Sequence, residues 1–181
     1  GNYDDALQDF HEAIELRPDL PGPYYSRGVT RLLNQQFEEA ISDFDMFIRQ
    51  EKKVADAYIN RGMCYLYLKD TLKAYEDFEA GIRTNREDPN GYNRRGTLYM
   101  QQKRYAEAEQ DFDTAIKCDS AYIPALFNRA VVYSDTQRPM LALNDLNSVI
   151  ALDSTNSMAY FNRAIIRSQI GDYNNALQDY D

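Results

Sequence analysis

Residues that carry nucleophilic or metal chemistry are scarce in this sequence. His11 is the only histidine among 181 residues, so neither a histidine-based proton relay nor a multi-histidine metal site can form. Cys64 and Cys118 lie far apart and form no CxxC pair, which favours buried thiols over a disulfide or a metal site. No phosphate-cradling glycine loop is present. We therefore predict no catalytic residue, no metal site and no cofactor; chemistry by carboxylates alone is the alternative left open.

Arginine and aspartate, by contrast, recur at a fixed interval of 34 residues. The arginines are Arg27, Arg61, Arg95, Arg129 and Arg163. The aspartates are Asp9, Asp43, Asp77, Asp111, Asp145 and Asp179. Both sets border apolar stripes, where a partly buried guanidinium is costly unless a carboxylate pairs with it in bidentate geometry. We predict a structural ladder in which each arginine pairs with an aspartate of its own or an adjacent unit; a row of arginines that binds an anion is the functional alternative.

The same interval governs the apolar and small residues. The decapeptide GNYDDALQDF at residues 1–10 returns as GDYNNALQDY at 171–180, which is five intervals later. Within one interval, Ala40, Phe44 and Ile48 follow one another at helical spacing. Alanine occupies one position of every interval, at Ala6, Ala40, Ala74, Ala108, Ala142 and Ala176. The pattern indicates a tandem array of helices.

Polar and proline-containing breaks divide each interval into two helices. Gln35-Gln36 and Gly171-Asp172 separate the helices inside a unit, and Pro89 lies between units. A helical hairpin of this kind leaves one apolar face uncovered, so consecutive units must stack. We therefore predict an all-α fold, a solenoid of antiparallel helix pairs with 34-residue repeats.

These features resemble the tetratricopeptide repeat family, whose pattern is matched by YINRGMCYLYL followed by AYEDFEAGI. The resemblance covers essentially the whole chain and implies a right-handed superhelix. The expected boundaries within a single domain, 1–181, are a partial repeat at 1–20, repeats at 21–54, 55–88, 89–122 and 123–156, and a truncated repeat at 157–181. We expect a fragment of a longer array, because solenoids close with a polar capping helix and none is present here. The arginine column departs from the family, which usually has leucine there.

A second set of residues lies opposite the core stripe on the first helix of each unit. By the resemblance, these residues would face a concave groove that the family uses to bind extended peptides or partner helices. The apolar members are Tyr25, Ile59, Met63, Tyr67, Phe127 and Phe161. The polar members are Ser26, Asn60, Arg94, Asn128 and Asn162. A side-chain amide suits a ligand's backbone whatever the ligand's sequence; the alternatives are that the apolar members are core and that the amides bond to neighbouring helices.

We interpret the chain as a non-catalytic protein–protein interaction scaffold that binds an extended peptide or a partner helix in this groove. The clamp that the chaperone-binding subgroup closes around a C-terminal carboxylate is not expected, because only Asn60 and Arg94 fit it. The alternatives are a regulatory or assembly segment of a larger enzyme or envelope-complex protein, and a module that self-associates through exposed solenoid ends.

Charge and hydropathy narrow the range of partners. The net charge of −9 disfavours nucleic acid, whose binders need clustered lysine and arginine. No apolar run approaches the roughly 18 residues that span a bilayer, and no signal segment occurs, so we expect a soluble segment without membrane insertion. A protein or peptide ligand is the predicted partner, and the residues point to no particular compartment.

Overall fold

The computed structural model describes residues 3–180, which form eleven α-helices and no strand. The helices are α1 (Tyr3–Leu16), α2 (Pro21–Leu33), α3 (Phe37–Gln50), α4 (Ala55–Tyr67), α5 (Thr71–Thr84), α6 (Pro89–Gln101), α7 (Tyr105–Cys118), α8 (Ile123–Asp135), α9 (Pro139–Leu152), α10 (Ser157–Gln169) and α11 (Tyr173–Tyr180). The predicted all-α class of paired helices is confirmed. None of these helices combines the length and the apolar character needed to cross a bilayer.

Ten of the helices form five hairpins, each a first helix followed by a second helix: α2–α3, α4–α5, α6–α7, α8–α9 and α10–α11. A three-residue turn joins the two helices of every hairpin. The middle residue of each turn has a positive φ, at Gln35, Lys69, Lys103, Gln137 and Gly171. In the first turn the N–H of Gln36 donates to the carbonyl of Arg31 at 2.8 Å, which ties down a carbonyl left over at the end of α2.

The chain divides into two compact units, residues 1–86 and 87–181. In the first unit α1 packs on α2, and α3 packs on α4. In the second unit α7 packs on α8, and α9 packs on α10. Each unit is thus a stack in which the second helix of one hairpin contacts the first helix of the next. The predicted boundaries of a single solenoid domain remain a prediction.

The core of each hairpin is a large side chain on the second helix pressed against a small residue on the first. A Cβ added to Gly62 would lie 2.8 Å from Cε1 of Phe78, whose side chain is fully buried. In the second unit Ala130 replaces glycine, and the facing residue is the smaller Leu146. At Gly62 and Gly96 a Cβ would lie 2.8 Å from Cε1 of the facing phenylalanine, so only a hydrogen fits between helix backbone and ring there.

We predict that Gly62→Ala destabilises the protein by about 1–3 kcal/mol, since the added methyl group overpacks the contact with Phe78. Adding Phe78→Leu should recover part of this loss, because it recreates the Ala130–Leu146 combination of the second unit. Urea unfolding of the three variants measures the effect.

The matched control is Gly22→Ala, where the added Cβ has no neighbour within 4 Å. Alanine should be neutral or stabilising there, by up to about 1 kcal/mol, because it is the better helix former. Equal losses from Gly62→Ala and Gly22→Ala would contradict the steric account.

Candidate functional site

Each arginine of the 34-residue column binds the aspartate that lies sixteen residues later in the same hairpin. The pairs are Arg27–Asp43, Arg61–Asp77, Arg95–Asp111, Arg129–Asp145 and Arg163–Asp179. In Arg61, Nε donates to Oδ2 of Asp77 at 2.8 Å and Nη2 donates to Oδ1 at 2.6 Å, which is the bidentate geometry. The sequence left open which repeat supplies the carboxylate, and in the structure it is the arginine's own. Asp9 is exposed on α1, and no residue of the sequence stands sixteen positions before it.

The aspartate is the more deeply buried partner of each pair. The side chain of Asp77 is 7% exposed and that of Arg61 is 19% exposed. Burial raises the pKa of Asp77, and the hydrogen bonds and charge of Arg61 offset only part of that rise. The hydrogen bond to Asp77 raises the pKa of Arg61, whose own desolvation is the smaller effect. The ion pair therefore serves chiefly to offset the desolvation cost of the buried carboxylate.

A second set of partners, sixteen residues earlier, joins four of these arginines to the preceding second helix. Nη1 of Arg129 donates to Oδ1 of Asp113 at 2.6 Å, and Nη1 of Arg163 donates to Oδ1 of Asn147 at 2.7 Å. The other contacts of this kind are Arg61–Asp45 and Arg27–His11. This column was not predicted, although acidic residues do recur two positions after the aspartate column. Each of these four guanidinium groups thus bonds within its own hairpin and also to the preceding second helix.

In the first unit, the predicted groove residues differ in where they point. Ile59 is 1% exposed and packs against the backbone of α5 near Gly81, so its assignment to a ligand-binding face is wrong. The cause is that a first helix contacts neighbours on more than one side. Tyr67 is 54% exposed, and its ring stacks on that of Phe37 with 4.7 Å between centroids. Met63 is half-buried.

Tyr25 and Asn60 connect the two first helices of this unit. The ring of Tyr25 is half-buried against Phe44 and Phe47, with 5.0 Å between the centroids of Tyr25 and Phe47. Nδ2 of Asn60 donates to the hydroxyl oxygen of Tyr25 at 3.3 Å. Ser26 is half-buried, and its carbonyl accepts from the Thr30 hydroxyl. The amide nitrogen of Asn60 is therefore used within the protein.

The second unit repeats this use of an amide between first helices. Nδ2 of Asn128 donates to Oδ1 of the buried Asn93 at 2.9 Å and to Oγ1 of Thr97 at 3.3 Å. Asn128 and Asn93 are 35 positions apart, as are Asn60 and Tyr25. Neither Asn60 nor Asn128 accepts a hydrogen bond at Oδ1 from residues 3–180. The amide nitrogen of each residue therefore donates to a neighbouring helix, whereas its oxygen is available as an acceptor.

The remaining residues of this set lie on α8 and α10. Phe127 is half-buried against the core of the second unit, and Phe161 is half-exposed, with its ring in a T-shaped contact with that of Tyr180. Nδ2 of Asn162 donates to the carbonyl of Met158 in its own helix at 2.8 Å. Asn162 also lines a cleft of about 90 Å³ between α8 and α10 that includes Ser134. These side chains all lie on first helices, but among the described residues they do not line a common cavity.

Arg94 differs from the arginines of the ladder. Its Nε is buried and has no hydrogen-bond partner, and its guanidinium forms no ion pair within residues 3–180. Tyr122 lies in the loop immediately before α8. Burial raises the pKa of its hydroxyl, and the positive charge of Arg94 partly opposes that rise. The same hydroxyl donates to Oδ1 of Asn90 at 3.4 Å, one turn before Arg94 in α6. Arg94 is thus a partly buried cation that forms no ion pair with the described residues.

Among the described residues, 3–180, no group of three or more histidine, cysteine or acidic side chains is arranged to hold a metal ion. Cys64 is fully buried, and burial raises the pKa of its thiol to about 12. The thiolate that would act as a nucleophile or a ligand is therefore scarce at neutral pH.

Comparison with known families identifies the class of protein. Models of the tetratricopeptide repeat match residues 55–88 and 89–122, and a further TPR repeat model matches residues 1–35. Together these segments make up more than half of the chain. The chain belongs to the tetratricopeptide repeat family, as its motifs predicted. No curated protein matches the sequence.

Solved structures share the fold at low sequence identity. YrrB, described as a TPR protein with an unusual peptide-binding site, is 19% identical with a TM-score of 0.68, covering 94% of this chain and 88% of its own. The pilF protein of Pseudomonas aeruginosa is 20% identical with a TM-score of 0.80, covering 100% and 76%. A tetratricopeptide repeat protein from Parabacteroides merdae is 22% identical with a TM-score of 0.78, covering 99% and 71%. Proteins with this repeat are generally non-catalytic scaffolds for protein–protein interaction, and this chain has that scaffold.

A double-mutant cycle on Arg61 and Asp77 should show strong coupling. We expect Arg61→Met or Asp77→Asn alone to cost about 3 kcal/mol, because each leaves a buried polar partner unpaired. The double variant should cost little more than one single change, giving a coupling of nearly 3 kcal/mol, about the cost of one single change, in urea unfolding. The exposed pair Lys73–Asp70, changed to Met and Asn in the same way, is the control and should couple far less because water screens it. Additive losses at Arg61 and Asp77 would refute the role of the pair.

Asn147→Asp should stabilise the second unit by about 0.5 kcal/mol, because it gives Arg163 the carboxylate that Arg129 has in Asp113. The gain should shrink in 1 M salt as the pair is screened. Asn144→Asp on the same helix makes the same change of charge at an exposed position and serves as the control. A gain of the same size from Asn144→Asp would show a general charge effect instead.

Proposed function

We infer that the chain binds an extended segment of a partner protein across the first helices of the second unit, with a carboxylate of that segment on Arg94. The observation that carries this proposal is the state of Arg94, a partly buried guanidinium whose Nε has no partner. A guanidinium held partly out of water without a counter-charge is costly, and a bidentate carboxylate ligand removes that cost.

Neighbouring side chains supply the other contacts that an extended segment needs. Oδ1 of Asn128 accepts no hydrogen bond from the described residues, so it can accept a backbone N–H of the ligand. Nδ2 of Asn128 is already bonded to Asn93, which fixes the orientation of the amide. The ring of Phe127 precedes Asn128 on the same helix and is half-buried, which suits an apolar anchor.

The first unit offers a related surface of its own. The exposed Tyr67 ring, the half-buried Met63 and the acceptor oxygen of Asn60 lie on α4. This surface has no counterpart of Arg94, so we assign to it apolar and backbone contacts. Ser26 in the first unit, and Phe161 and Asn162 in the second unit, belong to the proposed surface of their own unit, and Ile59 is left out.

The comparison with YrrB supports a peptide as the ligand class, since that protein is described as having a peptide-binding site. The net charge of −9 makes binding of an acidic segment depend on a local cation, and Arg94 supplies one. An interface of this modest size gives a Kd of roughly micromolar order.

Selection of peptides tests the proposal directly. A library of random twelve-residue peptides displayed on phage is selected on the 181-residue chain, and the enriched sequences are synthesised with and without a C-terminal amide. We expect enrichment of Asp or Glu flanked by apolar residues. Arg94→Gln should weaken binding, measured by fluorescence anisotropy, about tenfold or more, because it removes the charged hydrogen bonds to the carboxylate. Loss of binding on amidation would assign the carboxylate to the peptide's C-terminus instead of an acidic side chain.

Arg83→Gln is the matched control, since Arg83 is exposed on the second helix α5 and pairs with Glu79. It should leave peptide affinity and the circular dichroism melting curve unchanged. Arg94→Gln should melt no lower than the wild type, because it removes an unpaired, partly buried charge. Peptides that lack acidic residues, or that bind Arg94→Gln as tightly as the wild type, would overturn the proposal.

A further inference from the structure

A cleft between α8 and α10 in the second unit contains a small residue at a position that is large and apolar in three other first helices. Ser134 takes the same place in the 34-residue repeat as Leu32, Leu66 and Met100. In the first unit Leu32 packs against the hydrophobic core. At Ser134 a cavity of about 90 Å³ is open instead, and we call it the Ser134 cleft. A wider depression of about 470 Å³ adjoins it, since Ser134 and Asp135 line both.

The floor of the Ser134 cleft is apolar. Leu146 and Ile166 are almost fully buried core residues, and Val131 is half-buried beside them. A hydrocarbon chain that enters the cleft is therefore removed from water against residues of the same character. Helix α9 packs on both α8 and α10, which holds the two walls of the cleft in place.

Three oxygen atoms around the Ser134 cleft lack a donor among the described residues. The exposed Asp135 forms no ion pair there; Tyr105 donates to its Oδ2 at 3.3 Å, and its Oδ1 is unoccupied. Nδ2 of Asn162 donates within its own helix, and its Oδ1 accepts nothing from residues 3–180. The hydroxyl of Ser134 bonds to none of the described residues, whereas that of Ser148 donates to the carbonyl four residues before it.

Acceptors and a negative charge above an apolar floor define the chemistry of the ligand. Within the described part of the chain, no lysine or arginine lines the cleft or the depression beside it. A lysine side chain carries an ammonium group with three N–H donors and no acceptor, at the end of a four-carbon stem. The stem suits the floor, and the ammonium group suits the acceptors at the mouth. A carboxylate would be repelled by Asp135, so the ligand chemistry here is opposite to that at Arg94.

We propose that the Ser134 cleft is a subsite for a lysine side chain of the partner. The ammonium group binds Asp135, Ser134 and Asn162, and the stem lies on the apolar floor. This inference rests on the proposed function, because the lysine belongs to the extended segment that crosses the first helices of the second unit. The segment then carries an acidic residue for Arg94 and a lysine for the cleft. Its pattern of charges selects it, and the net charge of −9 favours the approach of its basic residue.

A single lysine analogue tests the cleft without any peptide sequence. N-acetyl-lysine methylamide, titrated into isotopically labelled protein, should shift the backbone amide signals of Ser134 and Asn162 in NMR spectra. Its Kd should be on the order of 1–10 mM, as expected for so small a ligand. N-acetyl-norleucine methylamide has the same stem without the charge and should bind about fivefold more weakly. A lysine analogue that shifts these signals no more than the norleucine analogue would overturn the proposal.

Two variants separate the charge from the cavity. Asp135→Asn keeps the shape and should weaken binding of the lysine analogue about fivefold. Ser134→Leu fills the cleft with the side chain that α2 and α4 carry at this position, so it should weaken binding about tenfold or more. It should melt no lower than the wild type, because it fills a cavity.

Glu107→Gln is the matched control, since Glu107 is an exposed acidic residue on α7 that lines neither the cleft nor the depression. It should leave the affinity for the lysine analogue unchanged. Binding that survives Ser134→Leu, or equal effects of Asp135→Asn and Glu107→Gln, would contradict the subsite.

Peptides from the phage selection separate this inference from the proposed function. Replacing the lysine of a selected peptide by norleucine should weaken binding to the wild type about fivefold and have no further effect on Asp135→Asn. Peptides that depend on Arg94 but contain no lysine would overturn the subsite and leave the proposed function intact. Peptides whose lysine depends on Asp135, but which bind Arg94→Gln as tightly as the wild type, would support the subsite and overturn the role of Arg94.

Discussion

The distance between the two helices of a hairpin is set where a small residue meets a large side chain, as Gly62 meets Phe78. The charged pair lies at the same level, because the arginine immediately precedes the small residue and the aspartate immediately precedes the large one. A hairpin held further apart would lose the bidentate geometry between Arg61 and Asp77 together with the apolar contact. Steric fit and ion pairing are therefore one constraint on the helix spacing.

That constraint also explains how neighbouring hairpins stay in register. Once Nε and Nη2 of an arginine are held by the aspartate of its own hairpin, Nη1 points towards the preceding hairpin, where Asp113 or Asn147 meets it. The stack is thereby joined by polar contacts at fixed positions as well as by apolar packing, which alone tolerates sliding. The aspartates of the ladder neutralise these arginines. Arg94 differs because it is an arginine on a first helix that forms no ion pair with the described residues.

The sequence was sufficient for the helix content, the repeat length and the family, because each rests on residues that recur many times. It was not sufficient for the partner of Arg61, since aspartates on either side of it in the chain lie on helices that α4 touches. The role of Asp45 could have been found from the recurrence of acidic residues two positions after the aspartate column. Ile59 was misplaced because helical spacing distinguishes two faces, whereas α4 contacts neighbours on more sides than that.

The hairpin turns place Gln35, Lys69, Lys103 and Gln137 in the left-handed region, which costs an ordinary L-residue about 1 kcal/mol, and only Gly171 adopts it freely. Such a turn gains little from its own local preferences, so the bend persists because the helices on either side are held by their neighbours. Each turn is therefore local in sequence, whereas the free energy that maintains its shape comes from contacts elsewhere in the stack. A single hairpin excised from either unit would retain every one of its turn residues and lose the support that keeps them bent.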